Sequence, residues 1–272
     1  MSPLDMFFVA VSILGSEVFV LVALVFAFLY NKRFGLRATI TTLATIYVTC
    51  LLKMALKMPR PDPSTWKVPA GGYGMPSAHA SISASFWGYL ALYNSDRPQL
   101  GIASAVITFL VGLSRVYLGV HSWADVIVGW IIGLVFALAA CMWADDIEMM
   151  LEDYGMPAKI AFSLALYILM LALAKALEEG DTYDFLACVK VSSTLFGLLV
   201  MLSLAPNIYW GMPDGEGMSS LIIRGLVGMG LSLPLFIIGR MAEKWPVIAL
   251  AFILIGEILV FVAPAVIRKL KI

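Results

Sequence analysis

The sequence predicts an all-α, polytopic transmembrane helical bundle, on three observations. Hydrophobic residues fill 61% of the 272 positions, against roughly 45–50% in soluble proteins, and only 13% are charged. Apolar runs near the roughly 20 residues that cross a hydrocarbon core recur along the whole chain. Eighteen basic and eighteen acidic side chains cancel, which leaves no cationic field to recruit a nucleic acid. The bilayer is the expected solvent for most of the chain.

The apolar runs fall at 6–31, 38–57, 77–94, 100–119, 123–143, 158–177, 185–205, 219–239 and 246–267. That gives about nine spans, with eight as the alternative count, because Gly15 and Ser16 can divide the first run into an interfacial piece and a shorter span. Pro234 is expected to kink the eighth. Met1 to Asp5 lacks the positive start of a cleaved signal peptide, and the run after it is too long for one, so it is read as part of the mature protein. Cys50, Cys141 and Cys188 each lie inside an apolar run, where no disulfide framework or spaced zinc set can be read.

Short loops carrying Lys or Arg stay on the cytoplasmic side. The clusters Lys32, Arg33, Arg37 and Arg268, Lys269, Lys271 both fall inside when nine spans are counted. The acidic loop Asp145 to Asp153 then lies inside as well, and 58–76, 120–122, 178–184 and 240–245 lie outside. Segment 58–76 breaks the composition with its prolines and with Gly71, Gly72 and Gly74. It is long for a simple connection, and such loops are often functional.

Polar residues near that outer boundary carry the chemistry. The only two histidines, His79 and His121, both fall there; taken singly, each has the plain reading of a solvated interfacial side chain. Lys53, Lys57 and Arg60 follow an i, i+4, i+7 spacing and share one face if the helix continues to its end. Lys57 also suits simple snorkelling to the headgroups, whereas Lys53 lies deeper, where a cation costs roughly 2.5–3.5 kcal/mol and needs an anion or a polar cavity. Ser77 is placed as an N-cap before Ala78 and His79, whose amides make an anion site, although an ordinary serine cap reads the same way. Arg115 follows Ser114 at the end of the fourth run. Asp125 follows His121 by four residues, one helical turn, where it can take the Nδ1 proton and leave Nε2 as a nucleophile. Two histidines and a carboxylate could instead hold a metal. Lys53, Arg60 and Arg115 would repel a divalent cation at the same mouth but would bind a phosphoryl group.

Read together, Lys53-x6-Arg60-Pro61, Pro76-Ser77-x-His79 and Ser114-Arg115-x5-His121-x3-Asp125 resemble the three-part signature of the type 2 phosphatidic acid phosphatase superfamily. The run Tyr73 to Ala80 is similar to that of the sphingosine-phosphate phosphatase and dolichyl diphosphatase branch, with Ala78 where many relatives carry Gly. The resemblance covers roughly residues 38–143 and implies a six-helix-type phosphatase core. On that basis residues 1–147 are read as the lipid-phosphatase core and 148–272 as additional helices of the same membrane domain.

The resemblance implies a metal-independent lipid phosphate phosphohydrolase with no cofactor, acting on a polyprenyl (di)phosphate or a sphingoid-type lipid phosphate. His121 would attack phosphorus, His79 would protonate the leaving alkoxide and Asp125 would orient His121. Lys53, Arg60, Ser77, Ala78, Ser114 and Arg115 would hold the phosphoryl oxygens. The expected setting is a multi-pass integral membrane protein with its site on the extracytoplasmic or lumenal face. Its expected partners are a membrane lipid phosphate, the bilayer and a second copy in a homodimer, and no nucleic acid. The alternatives are phosphoryl transfer between lipids and a non-catalytic lipid-binding or scrambling protein. In the C-terminal half, Lys190, Arg224 and Glu257 are expected first to form a structural ion pair, with a dimer contact or part of a lipid path as the alternatives, and Glu17 is expected to partner Lys53 or Lys57.

Overall fold

The computed structural model describes residues 1–179 and 182–271, apart from the side chains of residues 17 and 20. The expected partnership of Glu17 therefore lies outside the described residues. Among them every regular element is helical: α1 Pro3–Ile13, α2 Glu17–Tyr30, α3 Lys32–Leu56, a short 3-10 turn at Pro63–Thr65, α4 Ala78–Tyr93, α5 Pro98–Tyr117, α6 Trp123–Glu152, α7 Met156–Leu177, α8 Thr182–Leu204, α9 Pro206–Trp210, α10 Gly217–Met241, and α11 Trp245–Glu257, which a π turn at Ile258–Val262 joins to α12 Ala263–Leu270. The all-α expectation holds.

Among the described residues, seven helical segments are long and apolar enough to cross a membrane: α3, α5, α6, α7, α8, α10 and the continuous Trp245–Leu270. The runs expected at 6–31 and 77–94 are not among them. The first is broken at Leu14 to Ser16, after an α1 whose start is fixed by a reciprocal cap between Ser2 and Asp5. The second, α4, carries Ser81, Ser83 and Ser85, all buried in protein. Its polarity faces other helices and not lipid.

Two charged loops expected from the sequence are helical instead. Lys32, Arg33 and Arg37 form the first turns of α3, and Asp145 to Glu152 form the last turns of α6. Arg37 reaches Asp145 and Glu148 at 2.6 Å each, and Arg33 reaches them at 2.9 and 3.3 Å. These pairs offset the charge on both helix ends.

The chain divides into two compact units, the first comprising Met1–Leu21, Thr41–Ala144 and Leu177–Ala187, the second Val22–Ile40, Asp145–Ala176 and Cys188–Ile272. In the first, α4 is held by hydroxyl pairs from α3, Thr45 to Ser85 and Thr49 to Ser81, each at 2.9 Å. On its other side, α6 approaches through Gly129 and Gly133. A Cβ at Gly129 would lie 2.7 Å from the Ser77 carbonyl, and one at Gly133 would lie 2.7 Å from the Ala84 side chain. Small residues four apart let two helices in lipid touch along their backbones. The result places the starts of α4 and α6 side by side, with the Ser77 amide donating to the Asp125 carbonyl at 2.9 Å.

In the second unit, the buried guanidinium of Arg224 donates to the carbonyls of Leu29 at 3.0 Å and Pro213 at 2.7 Å. Among the described residues Lys190 and Glu257 take part in no ion pair, so the pairing expected from the sequence is replaced by carbonyl acceptors.

Candidate active site

Helix α3 ends at Leu56 because Lys57 adopts a left-handed backbone, φ +50°. Lys57 therefore leaves the face of Lys53 and pairs with Glu179. The three-cation helical face expected from the i, i+4, i+7 spacing does not form. Arg60 instead returns from the loop that follows. That loop is structured: the Lys67 amide donates to Leu118 at 3.0 Å, and the Trp66 indole to Pro61 at 3.0 Å.

The segment Gly71–Gly74 supplies carbonyls to both remaining cations. Lys53, buried, donates to the carbonyls of Tyr73 and Gly74. Arg60 donates to Gly71, Gly72 and Val120, the last two at 3.1 and 3.0 Å, and its Nη1 stands 2.9 Å from His121 Nε2. A guanidinium only donates, so Nε2 is the acceptor and the proton of neutral His121 sits on Nδ1. That nitrogen faces Asp125 Oδ2 at 3.3 Å. Asp125 is fixed in turn by the start of α6: its Oδ2 accepts from the Ser122 amide at 2.8 Å, while its own amide donates to Ser122 Oγ at 3.2 Å. The cap that begins the helix also orients the histidine.

Lys53, Arg60, Ala78, His79, Arg115 and His121 all line one cavity of about 310 Å³, floored by Ile46, Cys50 and Ile82. Burial holds His121 down to about 3, and Arg60, Lys53 and Arg115 act in the same direction against the pull of Asp125. The ring is thus neutral across the physiological range, as a nitrogen nucleophile must be. A divalent cation on Nε2 would have to displace the Arg60 guanidinium and sit among three cations, so this donor set suits an anion.

Two of the expected phosphate ligands do not reach the cavity wall. Ser114 spends its hydroxyl on the Val111 carbonyl of its own helix at 2.6 Å. Ser77 occupies the N-cap position of α4, but its hydroxyl makes no capping bond and is buried without a hydrogen-bond partner among the described residues. Arg115 Nε is buried in the same condition. The sequence reading missed Tyr183 and Asp184, which line the cavity from the first turn of α8. No local spacing links them to the motifs, the last of which ends at Asp125.

The site is thus a cavity lined by three cations beside an imidazole that a carboxylate orients. Residues 34–148 match the PAP2 superfamily. It is 28% identical over 148 residues to dolichyldiphosphatase 1 of Homo sapiens, an alignment that takes in 48% of this chain and 62% of that one. It is 34% identical over 141 residues to sphingosine-1-phosphate phosphatase 2 of Homo sapiens, over 48% of this chain and 35% of that one. The chain thus spans about a third to three-fifths of the length of these relatives. Among solved structures, a PAP2 type phosphatidylglycerolphosphate phosphatase from Bacillus subtilis aligns with a TM-score of 0.49 and 27% identity, covering 54% of this chain and 80% of that one.

Proposed function

We propose that this chain is a metal-independent lipid phosphate phosphohydrolase that works through a phosphohistidine, on a polyprenyl (di)phosphate or a sphingoid-type lipid phosphate. The observation that carries the reading is the alignment Arg60, His121 Nε2, His121 Nδ1, Asp125 on the wall of a cavity lined by three cations. Arg60 turns from Nε2 to the phosphoryl oxygens as substrate enters. The Nε2 lone pair then forms a bond to the terminal phosphorus as the bond from that phosphorus to the leaving oxygen, of the lipid alcohol or of the lipid phosphate, breaks, and His79, protonated once the bound anion offsets the surrounding cations, gives that oxygen its proton. Water next attacks phosphorus, returns a proton to His79 and releases orthophosphate, which frees His121. Asp125 compensates the imidazolium character of the phosphorylated ring. Lys53, Arg60, Arg115 and the amides of Ala78 and His79 at the α4 N-terminus hold the phosphoryl oxygens, and the buried, unpartnered Arg115 Nε is a polar group that a bound phosphate would satisfy.

The lipid tail enters along the apolar floor, with the site on the extracytoplasmic or lumenal face. The test is phosphate release by the detergent-purified protein from a panel of lipid phosphates with EDTA present, beside His121→Ala. EDTA-resistant release that disappears in the variant supports the reading. Release abolished by EDTA, or no release from any lipid, overturns it.

A further inference from the structure

Asp184 is a buried carboxylate on the wall of the phosphate cavity, and it comes from α8, outside the segment that matches the superfamily. Its placement is built. Oδ2 accepts from the Tyr73 amide at 3.2 Å. Gly72, at φ +68°, leaves room for the carboxylate: a Cβ there would lie 2.5 Å from Oδ2. The carboxylate thus braces the loop whose carbonyls hold Lys53 and Arg60. Asp184 also sits in the first turn of its helix, where the dipole favours a negative charge.

A carboxylate beside a phosphate is unfavourable unless charge balance calls for it. Three cations line the cavity, Lys53, Arg60 and Arg115, while Asp125 lies behind His121 and is committed to it. With Asp184 present, the wall carries two net positive charges, the complement of a phosphomonoester dianion. A terminal diphosphate brings up to one more negative charge and meets the carboxylate.

We propose that Asp184 is a specificity-determining residue that selects a lipid phosphomonoester over the corresponding diphosphate. This rests on the phosphohydrolase reading and narrows its substrate class. The experiment compares farnesyl phosphate and farnesyl diphosphate as substrates, with EDTA present, for the wild type, Asp184→Asn and Asp184→Glu. Asparagine keeps an oxygen for the Tyr73 amide and removes the charge. The wild type is expected to favour the monophosphate in kcat/KM. Asp184→Asn should shift the ratio about tenfold toward the diphosphate, the scale of one unit charge near a partly buried anion, and Asp184→Glu should keep the wild-type preference.

A purely structural Asp184 would lower both rates together and leave the ratio unchanged, which overturns the proposal, as does a wild type that prefers the diphosphate. Thermal stabilisation by orthophosphate and by pyrophosphate, measured on the same preparations, separates the two readings. If no lipid is turned over but the anion preference still shifts in Asp184→Asn, the phosphohydrolase reading fails and the role of Asp184 stands. Should Asp184→Asn not fold, tighter binding of pyrophosphate than orthophosphate by the wild type is enough to overturn the proposal.

Discussion

Arg60 Nη1 stands 2.9 Å from His121 Nε2, and this pair fixes the protonation state of the site. Because arginine offers only donors, the imidazole presents its lone pair to the cavity and its proton to Asp125. The nitrogen that the proposed mechanism uses as nucleophile thus accepts from a guanidinium that can equally donate to a phosphoryl oxygen.

The first consequence concerns Asp125. Its replacement by Asn keeps an oxygen for the Ser122 amide but no longer favours the Nδ1–H tautomer. Turnover should fall by about 10²–10⁴-fold, as when a histidine loses its orienting carboxylate, with KM changed only a few-fold. Steady-state kinetics with the protein still folded would check this, and an unchanged turnover would remove Asp125 from the mechanism.

Arg60 donates to three backbone carbonyls as well as to His121, a fork that a lysine cannot reproduce. Arg60→Lys is therefore expected to lower kcat/KM by about a hundredfold or more and to lower the thermal midpoint, because the Gly71, Gly72 and Val120 carbonyls lose donors. A variant that retained both properties would show that the charge alone suffices.

The position of His121 near 3 has a pH consequence with a definite sign. Between about 3 and the ordinary 6.5, the unfolded chain binds a proton at this residue and the folded chain does not. Stability should therefore decline as pH falls through that window. Melting the wild type and His121→Asn in detergent at pH 7 and pH 5 tests this. The wild type should lose more of its midpoint than the variant, and equal losses would mean that His121 titrates normally in the fold.

Lys57 makes the opposite prediction from its neighbours in sequence. Its exposed pair with Glu179 keeps it out of the cavity, and exposed pairs contribute little. Lys57→Ala should keep kcat/KM within about twofold of the wild type, whereas Lys53→Ala should lose most of it. Comparable losses in both would restore the three-cation helical face that the structure breaks at Leu56.

The site was legible in the sequence to the extent that its spacings were local. His121 and Asp125 are one helical turn apart, and four residues decide that contact whatever the rest of the chain does. His79 follows a helix start that Pro76 and Ser77 announce, and Lys53 was conspicuous as a charge within an apolar run. Lys57 shares the face of Lys53 only if the helix continues, and the left-handed backbone at that residue shows that it stops, which leaves the headgroup-side reading of Lys57. Ser114 shows a related limit: its hydroxyl bonds to the Val111 carbonyl on the preceding turn, and sequence does not say which way a helical hydroxyl faces.

By itself the sequence determined that this is an all-α membrane protein, through apolar runs matched to bilayer thickness, and it singled out Lys53, Arg60, His79, Arg115 and His121, which line one pocket, through residues too costly to place in lipid without a purpose. Tertiary structure decided the rest. It showed that α4, with its buried serines, is shielded by its neighbours, that the Gly71–Gly74 carbonyls hold Lys53 and Arg60 in place, and that Asp184 joins their cavity from 111 residues beyond Tyr73. Local contacts follow from backbone periodicity and can be counted along a chain. Contacts between distant segments depend on how helices pack against one another, and that is set by shape, by glycines such as Gly129 and Gly133, and by hydrogen bonds whose partners no spacing reveals.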